Sequence, residues 1–196
     1  MKIKLFGIKL TVSYLFCAFI CLMLLCDKTG LFIPMLLAVL IHEGGHLLFM
    51  WLYDCAPTEI KLIPGSVQLC APICSGKPSL LISLSGPIAN IIVFILVFGG
   101  SVMQGDDYYL TFAFVNLIYG VFNLLPLIGL DGGTALKEAL INKKGEAFAL
   151  RVLSAITVCA AVFSLSLAIF MSIIGRVNYS AYILSLYLVL SVLLKF

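Results

Sequence analysis

The chain has 196 residues, of which 63% are hydrophobic and only 11% are charged, and its mean hydropathy is +1.20. A soluble domain of this size does not need so many apolar residues, so the composition predicts an integral membrane protein. The net charge is only +3, and no basic patch with interleaved aromatic residues suggests a nucleic-acid partner.

Taken in chain order, six apolar segments are candidates for membrane-spanning helices, which need about 20 residues each. They cover residues 10–26, 31–53, 79–103, 108–128, 147–174 and 179–195. The first segment follows three lysines but has no small-residue cleavage site, so we interpret it as an uncleaved span rather than a signal peptide. The short connection at 27–30 makes the first two spans a helical hairpin. We therefore predict an all-α polytopic membrane protein with about six transmembrane helices.

The distribution of basic residues predicts the orientation of these spans, because cytoplasmic loops carry an excess of Lys and Arg. In a six-span layout, ten basic residues fall on one side: Lys2, Lys4, Lys9, Lys61, Lys77, Lys137, Lys143, Lys144, Arg151 and Lys195. The opposite loops hold only Lys28 and Arg176. We expect a multi-pass protein of the cell membrane with both termini in the cytoplasm.

The second span contains the only two histidines of the protein, His42 and His46, with Glu43 beside the first. A spacing of four residues places both imidazoles on one helix face, as a chelating pair for one metal ion requires. Ionisable groups at membrane depth are costly, which favours a function over simple packing. The pattern is the His-Glu-x-x-His arrangement of zinc hydrolases, in which Glu43 can reach a water on the metal.

The loop that follows, residues 54–78, differs from the spans. Residues 58–63 alternate polar and apolar side chains, which indicates a strand, and residues 67–69 can return after a turn at 64–66. A short β-hairpin at the membrane edge and an ordinary surface loop are both compatible with this pattern.

The third and fourth spans carry amides and a helix break. Ser85 and Ala89 form a small-residue face for close helix packing, and Asn90 is an amide in an apolar helix. Pro126 follows Asn123 and breaks the fourth span, so the segment before Asp131 is expected to line a cavity. Asp131 can instead be an N-cap for a short helix that starts near residue 134.

The seven cysteines lie mostly in apolar runs, where Cys behaves as a small hydrophobic residue. We therefore expect no disulfide framework. Cys70 and Cys74 have the spacing of a metal pair but lack partner ligands.

Three motifs occur together in this chain: His42-Glu43-Gly44-Gly45-His46, Ser85-Gly86-Pro87-Ile88-Ala89-Asn90, and Asn123-Leu124-Leu125-Pro126 leading to Asp131-Gly132-Gly133. Their identity and order resemble the site-2 protease family of intramembrane zinc metalloproteases, over about residues 31–145. The layout looks most like the bacterial branch that includes the sporulation protease cleaving a pro-sigma factor. Neither the regulatory CBS domain of that enzyme nor the PDZ domains of another branch is recognisable. Residues 127–130 also lack the second proline that family members often have.

The resemblance implies a single metalloprotease domain over 1–196 with one zinc ion, held by His42, His46 and Asp131, and with Glu43 as the general base. Either Asn90 or Asn123 would orient the substrate or the oxyanion. The expected substrate is a membrane-associated protein cut in or near a transmembrane segment, such as a sigma-factor precursor or an anti-sigma factor. A regulatory membrane partner or a homo-oligomer is left open.

Two other classes compete with this interpretation. A metal-ion transporter could use the same His and Asp residues, although the chain has few other polar groups to form a path and no inverted repeat. An inactive homologue that binds a membrane partner ranks lowest, because all the key residues are present.

Overall fold

The computed structural model describes residues 2–5, 8–63, 66–70, 76–104, 107–175 and 179–194. Seven helices lie in these residues: α1 (Tyr14–Cys26), α2 (Phe32–Leu52), α3 (Lys77–Gln104), α4 (Asp107–Asn123), α5 (Asp131–Lys144), α6 (Glu146–Ile173) and α7 (Tyr179–Leu194). Four strands accompany them: β1 (Lys2–Leu5), β2 (Ile8–Val12), β3 (Glu59–Ile63) and β4 (Ser66–Cys70). The chain divides into two compact units, Met1–Phe122 and Asn123–Phe196.

Three of the helices are long and apolar enough to cross a membrane, namely Phe32–Leu52, Lys77–Gly100 and Glu146–Ile173. Helices α1 and α7 are apolar but shorter. The protein is thus mainly helical, with the apolar helices of a membrane-embedded fold. Each of the six expected segments contains a helix, but α1 starts at Tyr14 rather than residue 10, because residues 8–12 form a strand. Helix α4 ends at Asn123, three residues before Pro126, since the residue before a proline disfavours the α conformation.

The expectation of an all-α fold needs correction, because the first unit contains a four-stranded sheet with the order β1-β2-β3-β4. The predicted hairpin is present as the antiparallel pair β3–β4, although its turn at 64–65 lies outside the described residues. The two N-terminal strands pair with each other antiparallel, and β2 then pairs with β3 in parallel, with Lys9 opposite Glu59. Thr11 Oγ1 donates to Glu59 Oε1 at 2.8 Å across that pair.

The backbones of helices α2 and α3 pack in close contact. A Cβ atom at Gly45 would lie 2.7 Å from the Ser85 carbonyl oxygen and 3.0 Å from the Ala89 Cβ. The small-residue face predicted on the third span is therefore confirmed, with a glycine of α2 as its partner. This contact brings the two helices close enough for α3 to hydrogen-bond the side chains of α2.

The second unit packs around a small apolar core. Leu127, Ala161 and Leu188 are nearly fully buried there, and Leu130, Ile156, Ala160 and Leu184 pack against them. Leu127 belongs to the irregular segment between α4 and α5, so this core also anchors the chain just before Asp131.

The structure adds one disulfide to the expectation that the cysteines form no disulfide framework. Cys55 is disulfide-bonded, and its partner lies outside the described residues. Cys55 lies in the polar loop after α2 and not in an apolar run, so the argument from apolar context did not apply to it. The free cysteines in the described chain are Cys17, Cys21, Cys26, Cys70 and Cys159.

Candidate metal centre

The two histidines of α2 lie side by side in the interior of the first unit. His42 is 3% exposed and His46 is 7% exposed, and their Nε2 atoms are 3.2 Å apart. Two nitrogens that bind one tetrahedral zinc at about 2.0–2.1 Å lie about 3.3 Å from each other. The helical spacing has therefore produced the separation that two ligands of one zinc ion need.

The other nitrogen of each ring is held by an oxygen that can only accept a hydrogen bond. His42 Nδ1 lies 2.8 Å from Asn90 Oδ1, and His46 Nδ1 lies 2.7 Å from the Ile82 carbonyl oxygen. Each neutral ring must therefore carry its hydrogen on Nδ1 and present a lone pair at Nε2. Two such lone pairs cannot form a hydrogen bond with each other, whereas a cation stabilises both. The donor chemistry thus fits a metal ion.

The backbone of α3 lies against the second imidazole. A Cβ atom at Gly86 would overlap the Nε2 atom of His46 and come within 2.7 Å of its Cε1. Ser85 Oγ donates to the Ile82 carbonyl oxygen at 2.6 Å and lies 3.5 Å from His46 Nδ1. Ser85 and Gly86 of the second motif therefore form the surface of α3 against which the His46 ring packs.

Glu43 follows His42 on α2 and is half-buried. It lies one residue after one ring and three residues before the other, so it is at the edge of the same helix face. The role of Glu43 as a base and not as a metal ligand stays a prediction.

The structure gives Asn90 a definite set of contacts. Its side chain is fully buried, its Oδ1 faces His42, and its Nδ2 donates to the Ala38 carbonyl oxygen and to Asn116 Oδ1, each at 2.9 Å. Asn116 is also fully buried, in α4. Asn116 belongs to none of the three sequence motifs, and only the fold shows that it contacts Asn90. A substrate contact for Asn90 stays a prediction.

An aromatic ring completes the surroundings of His42. The Tyr119 ring of α4 meets the imidazole edge-on, with ring centroids 5.0 Å apart. Sequence reasoning did not single out Tyr119. Its position three residues after Asn116 on one face of α4 is the signal that could have done so.

In the second unit, Asp131 is the first residue of α5, and the N-cap position belongs to Leu130, whose φ of −111° and ψ of 160° are extended. The N-cap alternative therefore placed the helix start too late. Gly132 and Gly133 follow Asp131 in the first turn of α5. A Cβ atom at either would overlap the carbonyl oxygen of Leu124 or of Leu127, respectively. The two glycines therefore let the first turn of α5 lie directly on the preceding segment.

That preceding segment, residues 124–130, is not helical, as Pro126 predicted. Its backbone needs partners, and Thr157 of α6 provides one. The Thr157 Oγ1 accepts a hydrogen bond from the Ile128 N–H at 3.1 Å and donates to the Leu153 carbonyl oxygen at 2.8 Å. No sequence motif marks Thr157, and only the fold shows this contact. Asn123, the other amide predicted at the site, is half-buried at the last position of α4.

Comparison with known proteins agrees with the resemblance that the motifs indicated. Residues 101–167 match Peptidase family M50. Over 154 residues the chain is 29% identical to a zinc metalloprotease of Methanocaldococcus jannaschii, a match that covers 76% of this chain. The chain spans only 43% of the length of that relative.

A solved structure shares the fold. The chain superposes on a site-2 protease from Methanocaldococcus jannaschii with a TM-score of 0.69, covering 96% of this chain and 91% of the other, at 24% sequence identity. Taken together, these matches confirm the predicted resemblance to the site-2 protease family.

Proposed function

We propose that this chain, which carries a Peptidase family M50 region and the fold of a site-2 protease, is an intramembrane zinc metalloprotease. It would hydrolyse a peptide bond in or near a transmembrane segment of a membrane-associated protein. The observation that carries the proposal is the pair of buried imidazoles whose Nδ1 atoms are held by acceptors and whose Nε2 atoms are 3.2 Å apart. A glutamate follows the first of them in the helix.

The proposed ligands of a single zinc ion are His42, His46 and Asp131. Two neutral imidazoles and one carboxylate are a donor set typical of catalytic zinc. Zinc in such a site supplies a Lewis acid, which polarises the scissile carbonyl and makes water more acidic. Gly132 and Gly133 allow the helix turn that carries Asp131 to lie directly on the preceding segment.

Side chains of the protein carry out proton transfer and contact the substrate. Glu43 takes a proton from the attacking water and then passes it to the leaving amine. Either Asn90 or Asn123 would contact the substrate or the oxyanion, and the Asn90 side chain also contacts His42, the Ala38 carbonyl and Asn116. Pro126 ends α4 beside Asn123, which keeps that amide at a helix end.

The substrate must present an extended backbone, since a helix hides its amides in its own hydrogen bonds. We propose that the hairpin of β3 and β4 binds the extended substrate backbone. In the described part of the chain β4 is the last strand of the sheet and β3 is an inner strand. An extended substrate segment would therefore add to β4.

For the membrane arrangement we propose six spans with both termini in the cytoplasm. The parallel pairing of β2 with β3 supports this layout. Helices α1 and α2 lie between these strands, and an even number of crossings returns the chain to its starting side. An active cytoplasmic reporter fused after Lys144, and an active periplasmic reporter inserted near Asp107, are the expected results. Periplasmic activity at Lys144 would contradict the six-span layout.

Finer assignments follow the branch that the motifs resemble. We propose one metalloprotease domain over 1–196 with its core at 31–145, and a sigma-factor precursor or an anti-sigma factor as the substrate. A regulatory membrane partner or a homo-oligomer would govern access to the site. Comparative membrane proteomics of cells with the active chain and with Glu43→Gln would identify the substrate by the peptides that only the active chain trims.

The Glu43→Gln variant tests the activity itself. Gln keeps the size of the side chain but cannot accept the proton of the water, so cleavage should fall by roughly 10²–10⁴-fold. Zinc content, measured by mass spectrometry of purified protein, should stay at about one ion per chain. Glu146→Gln is the control, because Glu146 is exposed and its carboxylate pairs with Lys137 at the surface. A Glu43→Gln variant that cleaves normally would refute the proposed role and favour a metal-ion transporter, which has no need of this base.

The Asp131→Asn variant tests the third ligand. Asn preserves the side-chain shape at the first position of α5, so the helix should still form. Loss of the carboxylate should lower zinc occupancy and abolish cleavage, while the protein still inserts in the membrane. A variant that holds zinc and cleaves like the parent would show that Asp131 serves only the helix start.

A further inference from the structure

A chain of hydrogen bonds links three helices of the first unit and ends at the candidate metal site. Asn116 of α4 donates through Nδ2 to the Phe112 carbonyl oxygen in its own helix, at 2.9 Å. Its Oδ1 therefore faces away and accepts from Asn90 Nδ2 of α3, at 2.9 Å. Asn90 Oδ1 in turn faces His42 Nδ1 of α2, at 2.8 Å. Both amides are fully buried, so water does not compete for these bonds.

The orientation of the Asn90 side chain decides which nitrogen of His42 carries the hydrogen. Two acceptors, the Ala38 carbonyl oxygen and Asn116 Oδ1, face the NH₂ group of Asn90. They hold the amide with its oxygen toward His42. If the amide were turned around, an N–H would face His42 Nδ1, and the ring hydrogen would have to move to Nε2. Nε2 could then not bind a metal.

We infer that Asn90 and Asn116 are positioning residues that fix the metal-binding tautomer of His42. Asn116 acts without touching the histidine, by holding the amide of Asn90. This inference rests on the proposed metal site and extends it to a residue that no motif of the sequence marked. Residues that orient a metal-binding histidine typically change metal affinity by about 10–100-fold when they are removed.

Nuclear magnetic resonance of the imidazole nitrogens measures this tautomer directly. The protein has only two histidines, so ¹⁵N-labelled histidine in the zinc-free full chain gives two sets of ring signals. The spectra are taken in detergent at about pH 8, where an ordinary imidazole is neutral. The parent chain should show both rings with the hydrogen on Nδ1. His46 is held by a backbone carbonyl, so its signals serve as the internal reference for an intact fold.

Three variants distinguish the effect of Asn90 on His42 from the effect of Asn116. Asn90→Leu removes the acceptor of His42 and should move the His42 hydrogen toward Nε2, with a zinc affinity about 10–100-fold lower. Asn116→Leu should shift the same ring in the same direction, with a loss of about tenfold. Asn116→Asp keeps an acceptor toward Asn90 in either protonation state, so it should resemble the parent. Zinc affinity is measured by competition with a chelator of known affinity.

The result that overturns the inference is an Asn116→Leu variant with the His42 tautomer and the zinc affinity of the parent. If Asn116→Leu shifts both histidines, the Asp variant decides. If His42 in Asn116→Asp gives the same signals as in the parent, the positioning role of Asn116 is supported. If it gives the same signals as in Asn116→Leu, that role is refuted. Ser191→Ala is the control, because Ser191 also makes a buried hydrogen bond, to the Leu188 carbonyl oxygen, in the other unit. A parent chain that fails to bind zinc would instead contradict the proposed function.

Discussion

The exposed start of α2 and its buried middle are held by different kinds of contact. At the start, the Asp27 carboxylate accepts hydrogen bonds from the backbone N–H groups of Thr29, Gly30 and Phe32, at 2.9–3.0 Å. All these partners lie within five residues. In the middle, His42 and His46 are held by Asn90 and by the Ile82 carbonyl, which are 48 and 36 residues away. The helix start is therefore a local structure, whereas the two imidazoles are held in place only when α3 packs against α2.

The largest expected effect comes from a single methyl group on α3. Gly86→Ala would place a Cβ atom on the His46 ring, and relief of the overlap must move either the ring or the helix. We expect a loss of zinc affinity and a decrease of about 1–3 kcal/mol in the free energy of unfolding. Chelator competition and unfolding in detergent measure the two quantities.

Gly44→Ala is the matched control, because a Cβ atom at Gly44 meets nothing within 4 Å. This variant should bind zinc normally. Its free energy of unfolding should increase by about 0.5–1 kcal/mol, because alanine has a better helix propensity than glycine. Equal zinc affinities in the Gly86 and Gly44 variants would mean that the contact between α2 and α3 does not shape the site.

A smaller effect is expected at the helix start, and it depends on pH. The pKa of Asp27 is lowered, first by the hydrogen bond from the Phe32 backbone and then by the Thr29 side chain. A lowered pKa in the folded state stabilises the fold above the unfolded pKa, near 3.9, and this contribution is lost as the pH falls through the folded pKa. The melting temperature of the parent should therefore decrease in this acid range.

Asp27→Asn should weaken this dependence without changing zinc affinity at neutral pH. Asp107→Asn, at the exposed start of α4, controls for the removal of one negative charge. If the melting temperature of the Asp27 variant decreases at acidic pH as steeply as that of the parent, the carboxylate does not stabilise the start of α2.

The contrast between the two parts of α2 also explains what the sequence could predict. The i and i+4 spacing placed His42 and His46 on one face, and the alternation in residues 58–63 predicted β3. These signals are local. The partners of the imidazoles are not local, since the roles of Asn116 and of the Ile82 carbonyl depend on how three helices pack. The close packing of Gly132 and Gly133 on the segment before α5 was likewise visible only in the fold.

The N-terminal strands were missed although their signal was present. Residues 2–5 and 8–12 alternate Lys or Thr with apolar residues, which is the strand period. We read the lysines as the charged flank of the first span, and a flank requires no regular structure. What distinguishes the two readings is the partner β3, some 50 residues further on, which the local pattern does not reveal.

The parallel pair of β2 and β3 has a consequence for synthesis of the protein. When residues 2–12 leave the ribosome, the strand that will cover the edge of β2 has not been translated. The nascent chain must first produce α1 and α2 before β3 is made. The sheet can therefore close only after both helices have been synthesised, so the N-terminal strands must wait for some 50 further residues before they meet β3.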